Sequence, residues 1–167
     1  MSNEKRVDTR TRNYACVVYP DSVNLPENWK EIISAEHVPC FISPLHDKDI
    51  DPQNQPKKPH YHVLVRYEGK KSREQVEKFF SSFGGVGVET VNSVRGYSRY
   101  LCHLDNPEKA QYNTEDVFII GGAMMYHTML PYCDKVFLTM VEADGGAEVV
   151  HKHRPRRIQS FRLRCEY

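Results

Sequence analysis

His60 and His62 stand either side of a tyrosine in KKPHYHVLVRY, residues 57–67. The run that follows alternates apolar side chains, the mark of a strand, whose side chains repeat every second residue. Both imidazoles therefore leave on one face, while Tyr61 leaves on the other and packs under helices. A third histidine and a carboxylate, His46 and Asp49, lie in SPLHDKD, residues 43–49. If segments 38–45 and 60–68 pair as a hairpin, three imidazoles and one carboxylate can converge, a set suited to a divalent ion. The alternative for the histidine pair is a solvated strand face. Asp47, Asp49 and Asp51 also alternate, but a calcium loop is ruled out: Pro52 stands where it needs glycine and Lys58 where it needs glutamate. Zinc fits three histidines, yet no cysteine is near them in sequence. A phosphate-handling site with a carboxylate takes Mn2+ or Mg2+ instead.

A metal that polarises a phosphate makes a tyrosine hydroxyl a competent nucleophile. RGYSRYLCHL, residues 95–104, supplies candidates: Tyr97, Tyr100, Leu101 and Leu104 fall at i, i+3, i+4 and i+7 of a helix. Tyr100 is the first candidate and Tyr97, one turn earlier on the same face, the second, with His103 a further turn on. The alternative is that both tyrosines are core aromatics.

The elements that must position these groups are readable in outline. NYACVVYP (13–20) is a β-branched, alternating strand ended by Pro20, and LPENWKEIISAEH (25–37) a helix with Trp29, Ile32 and Ile33 at helical spacing. VPCFISPL (38–45) reads as a strand, then a polar, proline-punctuated loop leads to the strand at 60–68. SREQVEKFFSSFG (72–84) opens with a capping box, Ser72 to Gln75, and lines up Val76, Phe79, Phe80 and Phe83. VGVETVNSV (86–94) is a strand, and GGVG (84–87) a turn rather than a phosphate loop, since no Gly-Lys-Ser/Thr follows. The order β–α–β–β–α–β plus a helix predicts an α+β protein of the ferredoxin-like, RRM-like split βαβ class. Its mostly antiparallel sheet would carry the two long helices on one face and the metal site on the other.

The chain of 167 residues has a net charge of +1, which neither supports nor excludes a nucleic-acid partner. Its distribution is more telling. Residues 1–113 are nearly balanced, 114–150 hold one Lys against six acids, and 151–167 hold six Lys/Arg against one Glu. Five cysteines form no CxxC pair, which favours a reducing, cytoplasmic setting. MSNEKRVDTRTRN has no apolar export segment, and no apolar run approaches the roughly 18 residues of a membrane span.

SPLHDKD, KKPHYHVL and RYLCHLDNPEKAQY together resemble the origin-nicking domain of rolling-circle plasmid replication initiators, in the HUH endonuclease superfamily, over residues 10–114. The resemblance implies a bacterial cytoplasmic enzyme that cleaves one strand of origin DNA, single-stranded at the nick. It would keep a 5′-phosphotyrosine link, free a 3′-hydroxyl for host replication proteins, and re-close the strand in the manner of a topoisomerase. It implies Tyr100 as nucleophile, standing before LCH as the family's tyrosine stands before Leu-x-His. It implies His46, Asp49, His60 and His62 as ligands of Mn2+ or Mg2+. An origin-binding module without nicking activity is the alternative.

The remainder departs from that pattern. EDVFIIGGAMMYHTMLPYCDKVFLTMVEADG (115–145) resembles the C-terminal part of bacterial dihydrofolate reductase, but no folate pocket precedes it and GGAEVVHKHRPRR replaces the family's EGDT. The resulting division is a polar arm at 1–12, a nicking domain at 13–114, a βαβ-like appendage at 115–150 and a basic tail at 151–167. The tail's His151 and His153 have no partner carboxylate in sequence.

Overall fold

The computed structural model describes residues 9–120. Most of the polar arm, the reductase-like segment beyond residue 120 and the basic tail with His151 and His153 lie outside the described residues. Strand β1 is Thr11–Val18, helix α1 Trp29–Ala35, β2 Cys40–Ile42, β3 Tyr61–Lys71, α2 Arg73–Ser82, β4 Gly85–Thr90, α3 Val94–Tyr100 and β5 Phe118–Ile120. All pairings are antiparallel, in the order β4-β1-β3-β2-β5. This is the expected α+β split arrangement with one strand added. That strand follows a single 3-10 turn at Thr114–Asp116 and pairs with β2, so residues 118–120 continue the sheet.

Each long element forms for a local reason. Ser72 accepts the Gln75 N–H and the Gln75 side chain accepts the Ser72 N–H, the reciprocal cap that starts α2. Tyr14, Cys16 and Val18 of β1 and Val63, Val65 and Tyr67 of β3 share a core with Trp29, Ile33, Val76, Phe80 and Phe83. These strand residues keep one parity, as a face of a pleated sheet must. Residues of the other parity, Ala15, Phe41 and Leu64, are buried as well. Helix α3 packs against β3, and Leu101 at its end is fully buried.

The predicted elements lie where the pattern placed them, with ends that moved. Helix α1 is shorter than 25–37, and its Asn28 cap makes no side-chain hydrogen bond. Helix α3 stops at Tyr100 rather than continuing to Leu104. Its last turn closes with the His103 N–H on Tyr100 O at 3.0 Å and the Leu104 N–H on Arg99 O at 3.1 Å. Those two bonds are a Schellman ending, and they require a left-handed residue at His103, whose φ is 57°.

Phe80 is fully buried between sheet and helix. Phe80→Ala should therefore lower unfolding stability by about 3–5 kcal/mol. Urea denaturation of the full chain measures this, with a smaller loss for the partly buried Phe79.

Candidate metal centre and nucleophile

Cys40↔Val65, Phe41↔Leu64 and Ile42↔Val63 pair in one register, while His46 pairs with His60 in the next. Three residues, 43–45, thus stand opposite two, 61–62, which is a bulge. The offset changes the face on which His46 leaves. In unbroken alternation it would share the parity of Cys40 and Ile42, which are in the helix-side core. Pro44, which has no N–H to offer the ladder, lies inside the bulge. Ser43 Oγ accepts the His62 N–H at 2.9 Å, so the backbone of His62 stays satisfied.

His46, His60 and His62 consequently form one cluster, with ring centroids 4.9–5.3 Å apart. Tyr61 points away and packs on Trp29, centroids 5.4 Å apart, as alternation requires. Asp49 reaches the cluster from the loop beyond the His46–His60 bridge. Its Oδ2 lies 3.5 Å from His46 Nδ1 and 3.9 Å from His60 Nε2. Asp51 has a different task. Its Oδ1 accepts the Gln53 and Gln55 N–H groups at 2.9 and 2.8 Å, folding the tip of the loop that carries Asp49.

The hydrogen bonds around the rings fix their tautomers, because a carbonyl oxygen only accepts. His46 Nε2 donates to Leu101 O at 2.9 Å, leaving Nδ1 with a bare lone pair; His60 Nδ1 donates to Lys58 O at 2.9 Å, leaving Nε2. Among the described residues, His46 Nδ1 and both nitrogens of His62 are buried without a partner. Such orphaned polar atoms are costly and call for an occupant. His46, His60 and His62 offer ligand atoms within 4.8 Å of one another, and so do His46, Asp49 and His103. The donor set fits a divalent cation.

Burial, with smaller contributions from His46 and His60, pulls the His62 pKa down to about 3. Burial likewise lowers His46, only partly countered by Leu101 O and Asp49. The ordinary histidine value near 6.5 would let protons displace a metal just below neutrality; burial moves that competition to lower pH at these two rings. Burial pushes the Asp49 carboxyl up, but the Tyr112 hydrogen bond and the imidazoles of His46, His103 and His60 outweigh it and the pKa is lowered.

Both tyrosine candidates stand over this cluster, and the structure separates them. The Tyr100 ring is 5.2 Å from His62 and 5.4 Å from His103, and is half-buried. Tyr97 is further from His62, at 6.4 Å, and its hydroxyl donates to Glu89 Oε1 at 2.6 Å. Burial and that bond drive the Tyr97 pKa far up.

Two residues at the site went unassigned in the sequence. His103 is not a further turn along the helix: the left-handed ending swings its ring back to 4.7 Å from His46, with Nδ1 donating to Ala110 O at 2.8 Å. Tyr112 stacks on His46 at 4.1 Å with the planes 2° apart, and its hydroxyl donates to Asp49 Oδ1 at 2.8 Å. No periodicity announces a loop tyrosine, and 63 positions separate it from Asp49.

A family model described as "Plasmid replication protein, origin binding domain" matches residues 6–125. The chain belongs to this family. Replication protein RepB of Lactiplantibacillus plantarum is 48% identical over 113 residues, covering 68% of this chain and 50% of the relative. A replication protein of Staphylococcus aureus is 39% identical over 119 residues, covering 71% of this chain and 59% of the relative. A RepB of Streptococcus agalactiae is 31% identical over 124 residues, covering 68% and 58%. The chain spans between half and three fifths of the length of these curated relatives. Among the described residues, no helix is long and apolar enough to cross a membrane.

The lowered His62 pKa has a consequence for the metal-free fold. Between about 6.5 and about 3 the unfolded chain binds a proton at His62 that the folded chain refuses. Stability in chelator is therefore full above about pH 6.5 and falls as pH falls toward 3. The urea midpoint in EDTA should drop between pH 7.5 and pH 5.0, and drop less in His62→Gln. An equal drop in both would remove His62 from the cause.

Proposed function

We propose that the chain binds plasmid origin DNA and breaks one strand through the Tyr100 hydroxyl. The products are a 5′-phosphotyrosine link and a free 3′-hydroxyl from which rolling-circle replication starts. Membership in the origin-binding family supports the DNA partner. One observation carries the chemistry: Tyr100 stands 5.2 Å from His62 over a buried set of imidazoles with unpartnered nitrogens. That combination is what the HUH endonuclease reading of the sequence requires.

His46 Nδ1, Asp49 Oδ2, His60 Nε2 and a ring nitrogen of His62 would hold the ion. Three nitrogen donors fit Mn2+ better than Mg2+, which demands oxygen. When bound, the ion polarises the scissile phosphate and offsets the charge of Asp49.

The protein's own groups account for the rest. Burial, and then the charges of Asp49 and Glu89, raise the Tyr100 pKa, so the phenol rests protonated and inert. In the step itself Tyr100 Oη bonds to phosphorus and the bond from phosphorus to the 3′ oxygen breaks. The phenol loses one proton and the leaving 3′ oxygen gains one, so charge and protons balance. Lys109 Nζ, 5.3 Å from the Tyr100 ring centroid, brings positive charge to the neighbourhood of the phenol. Run in reverse, with a 3′-hydroxyl as attacker, the same step re-closes the strand. DNA single-stranded at the nick, and host proteins that extend the 3′ end, complete the reading. Tyr97 is the second candidate because its ring lies further from His62, at 6.4 Å, and its hydroxyl is turned to Glu89.

The test incubates the full chain with a single-stranded oligonucleotide of the plasmid's own origin and Mn2+, then looks for an adduct that survives denaturation. Tyr100→Phe should abolish the adduct and leave the gel shift nearly unchanged, while Tyr97→Phe keeps both. Asp49→Ala should weaken Mn2+ binding and adduct formation together. An adduct in Tyr100→Phe would move the nucleophile to Tyr97. A wild-type gel shift with no adduct would favour a module that binds the origin without nicking it.

A further inference from the structure

The ligands His46, His60 and His62 are fixed by backbone: two by the bridge that joins them, the third by β3. Asp49 is different. It lies in the loop beyond the bridge, and a carboxylate on a short, rotatable stem can present either oxygen or neither. We infer that Tyr112 is the positioning residue that turns Asp49 Oδ2 toward the three imidazoles. The inference rests on the proposal that this cluster binds a divalent ion.

Tyr112 touches two of the four ligands, in each case where the ion would not be. Its hydroxyl donates to Asp49 Oδ1 at 2.8 Å, while the other oxygen, Oδ2, is the one near His46 Nδ1 at 3.5 Å and His60 Nε2 at 3.9 Å. The same hydroxyl accepts the Lys48 N–H at 3.0 Å, which ties the loop backbone next to Asp49 to residue 112. With its lone pair engaged by Lys48, the hydroxyl proton is directed at the carboxylate. The ring lies flat on His46, centroids 4.1 Å apart and planes 2° apart, so it blocks rotation of that imidazole as well. Tyr112 is only 9% exposed, so water competes weakly for these bonds. A neutral donor also leaves the negative charge of Asp49 available to the ion, as a buried cation in the same place would not. Partners that orient a ligand in this way are worth about 10–100-fold in metal affinity.

The alternative is that Tyr112 merely fills space beside His46. The two roles separate in a mutant cycle, because a residue that acts through Asp49 has no effect once Asp49 is gone. Mn2+ is titrated into the full-length wild type, Tyr112→Phe, Asp49→Ala and the double variant, by calorimetry and by loss of the free-ion paramagnetic resonance signal. Thermal unfolding in EDTA is measured in parallel. Tyr112→Phe keeps the ring on His46 and should weaken Mn2+ binding about 10–100-fold. The same substitution in the Asp49→Ala background should change affinity less than about twofold. Equal affinity in wild type and Tyr112→Phe overturns the inference, as does an undiminished loss in the Asp49→Ala background. A Tyr112→Phe chain that is unfolded without metal overturns it too, making the residue structural. A wild type that takes up no Mn2+ overturns the metal proposal itself, a result distinct from the other three.

Discussion

A single extra residue between β2 and β3 decides whether this sheet has a site. Pairing at Ile42↔Val63 and at His46↔His60 cannot both belong to one unbroken ladder, and the bulge at 43–45 absorbs the difference. Without it, strand alternation would turn His46 toward Val63, Val65 and the helices, where an imidazole has no use. With it, His46 crosses to the face of His60 and His62. The loop that follows then begins from the site face, and Asp49 needs only a short turn to reach the rings. Ser43 makes the irregularity tolerable by supplying its hydroxyl to the His62 N–H, which the bent strand would otherwise leave without an acceptor.

Electrostatics follows from that geometry. Four histidines at most 8% exposed, with one carboxylate among them, could not carry several positive charges in so little water. Burial favours the neutral form at His46 and His62, and backbone carbonyls at Leu101, Lys58 and Ala110 each accept one ring N–H of His46, His60 and His103. The lone pairs left over at His46 and His60 turn to the one carboxylate. What results is a buried cluster of ring nitrogens around one carboxylate, and the lowered His62 pKa makes it costly to the fold as pH falls.

The sheet, the two long helices and the pair on one face of β3 were legible because each rests on a periodicity or a cap confined to a few neighbouring residues. The capping box at Ser72 and Gln75 is such a signal, and the alternation after His60 another. Placing His46 and Asp49 beside that pair required only a hairpin. The parity problem that the hairpin raises was invisible, since a bulge leaves no mark beyond a proline and a serine that suit it. Helix α3 was extended too far for a related reason: Leu101 and Leu104 continue the apolar spacing, but the left-handed turn at His103 is set by where the chain must return. Tyr112 ends the motif RYLCHLDNPEKAQY, but nothing in that stretch gives it a role. Its role lies in contacts across 63 and 64 positions, to Asp49 and Lys48, and nothing within its own segment depends on them.

That left-handed turn links Tyr100 to the histidine cluster. A non-glycine residue in this conformation is strained by about 1–2 kcal/mol, and strain of this kind persists only where surrounding contacts hold it. The contacts here are specific. His103 Nδ1 donates to Ala110 O, the Gln111 amide donates to His103 O at 3.0 Å and Asn106 O at 2.9 Å, and the Tyr112 N–H reaches Cys102 O at 3.3 Å. They close residues 103–112 into a compact loop whose far end delivers Tyr112 onto His46. Its near end is the last turn of α3, which carries Tyr100. Leu101 O at that same turn accepts the His46 Nε2 proton. One short segment therefore places Tyr100 above the cluster, accepts the His46 Nε2 proton and donates a hydrogen bond to Asp49. Moving α3 would displace Tyr100 and disturb the histidine cluster in the same motion, so the two parts of the arrangement can only be built, or lost, together.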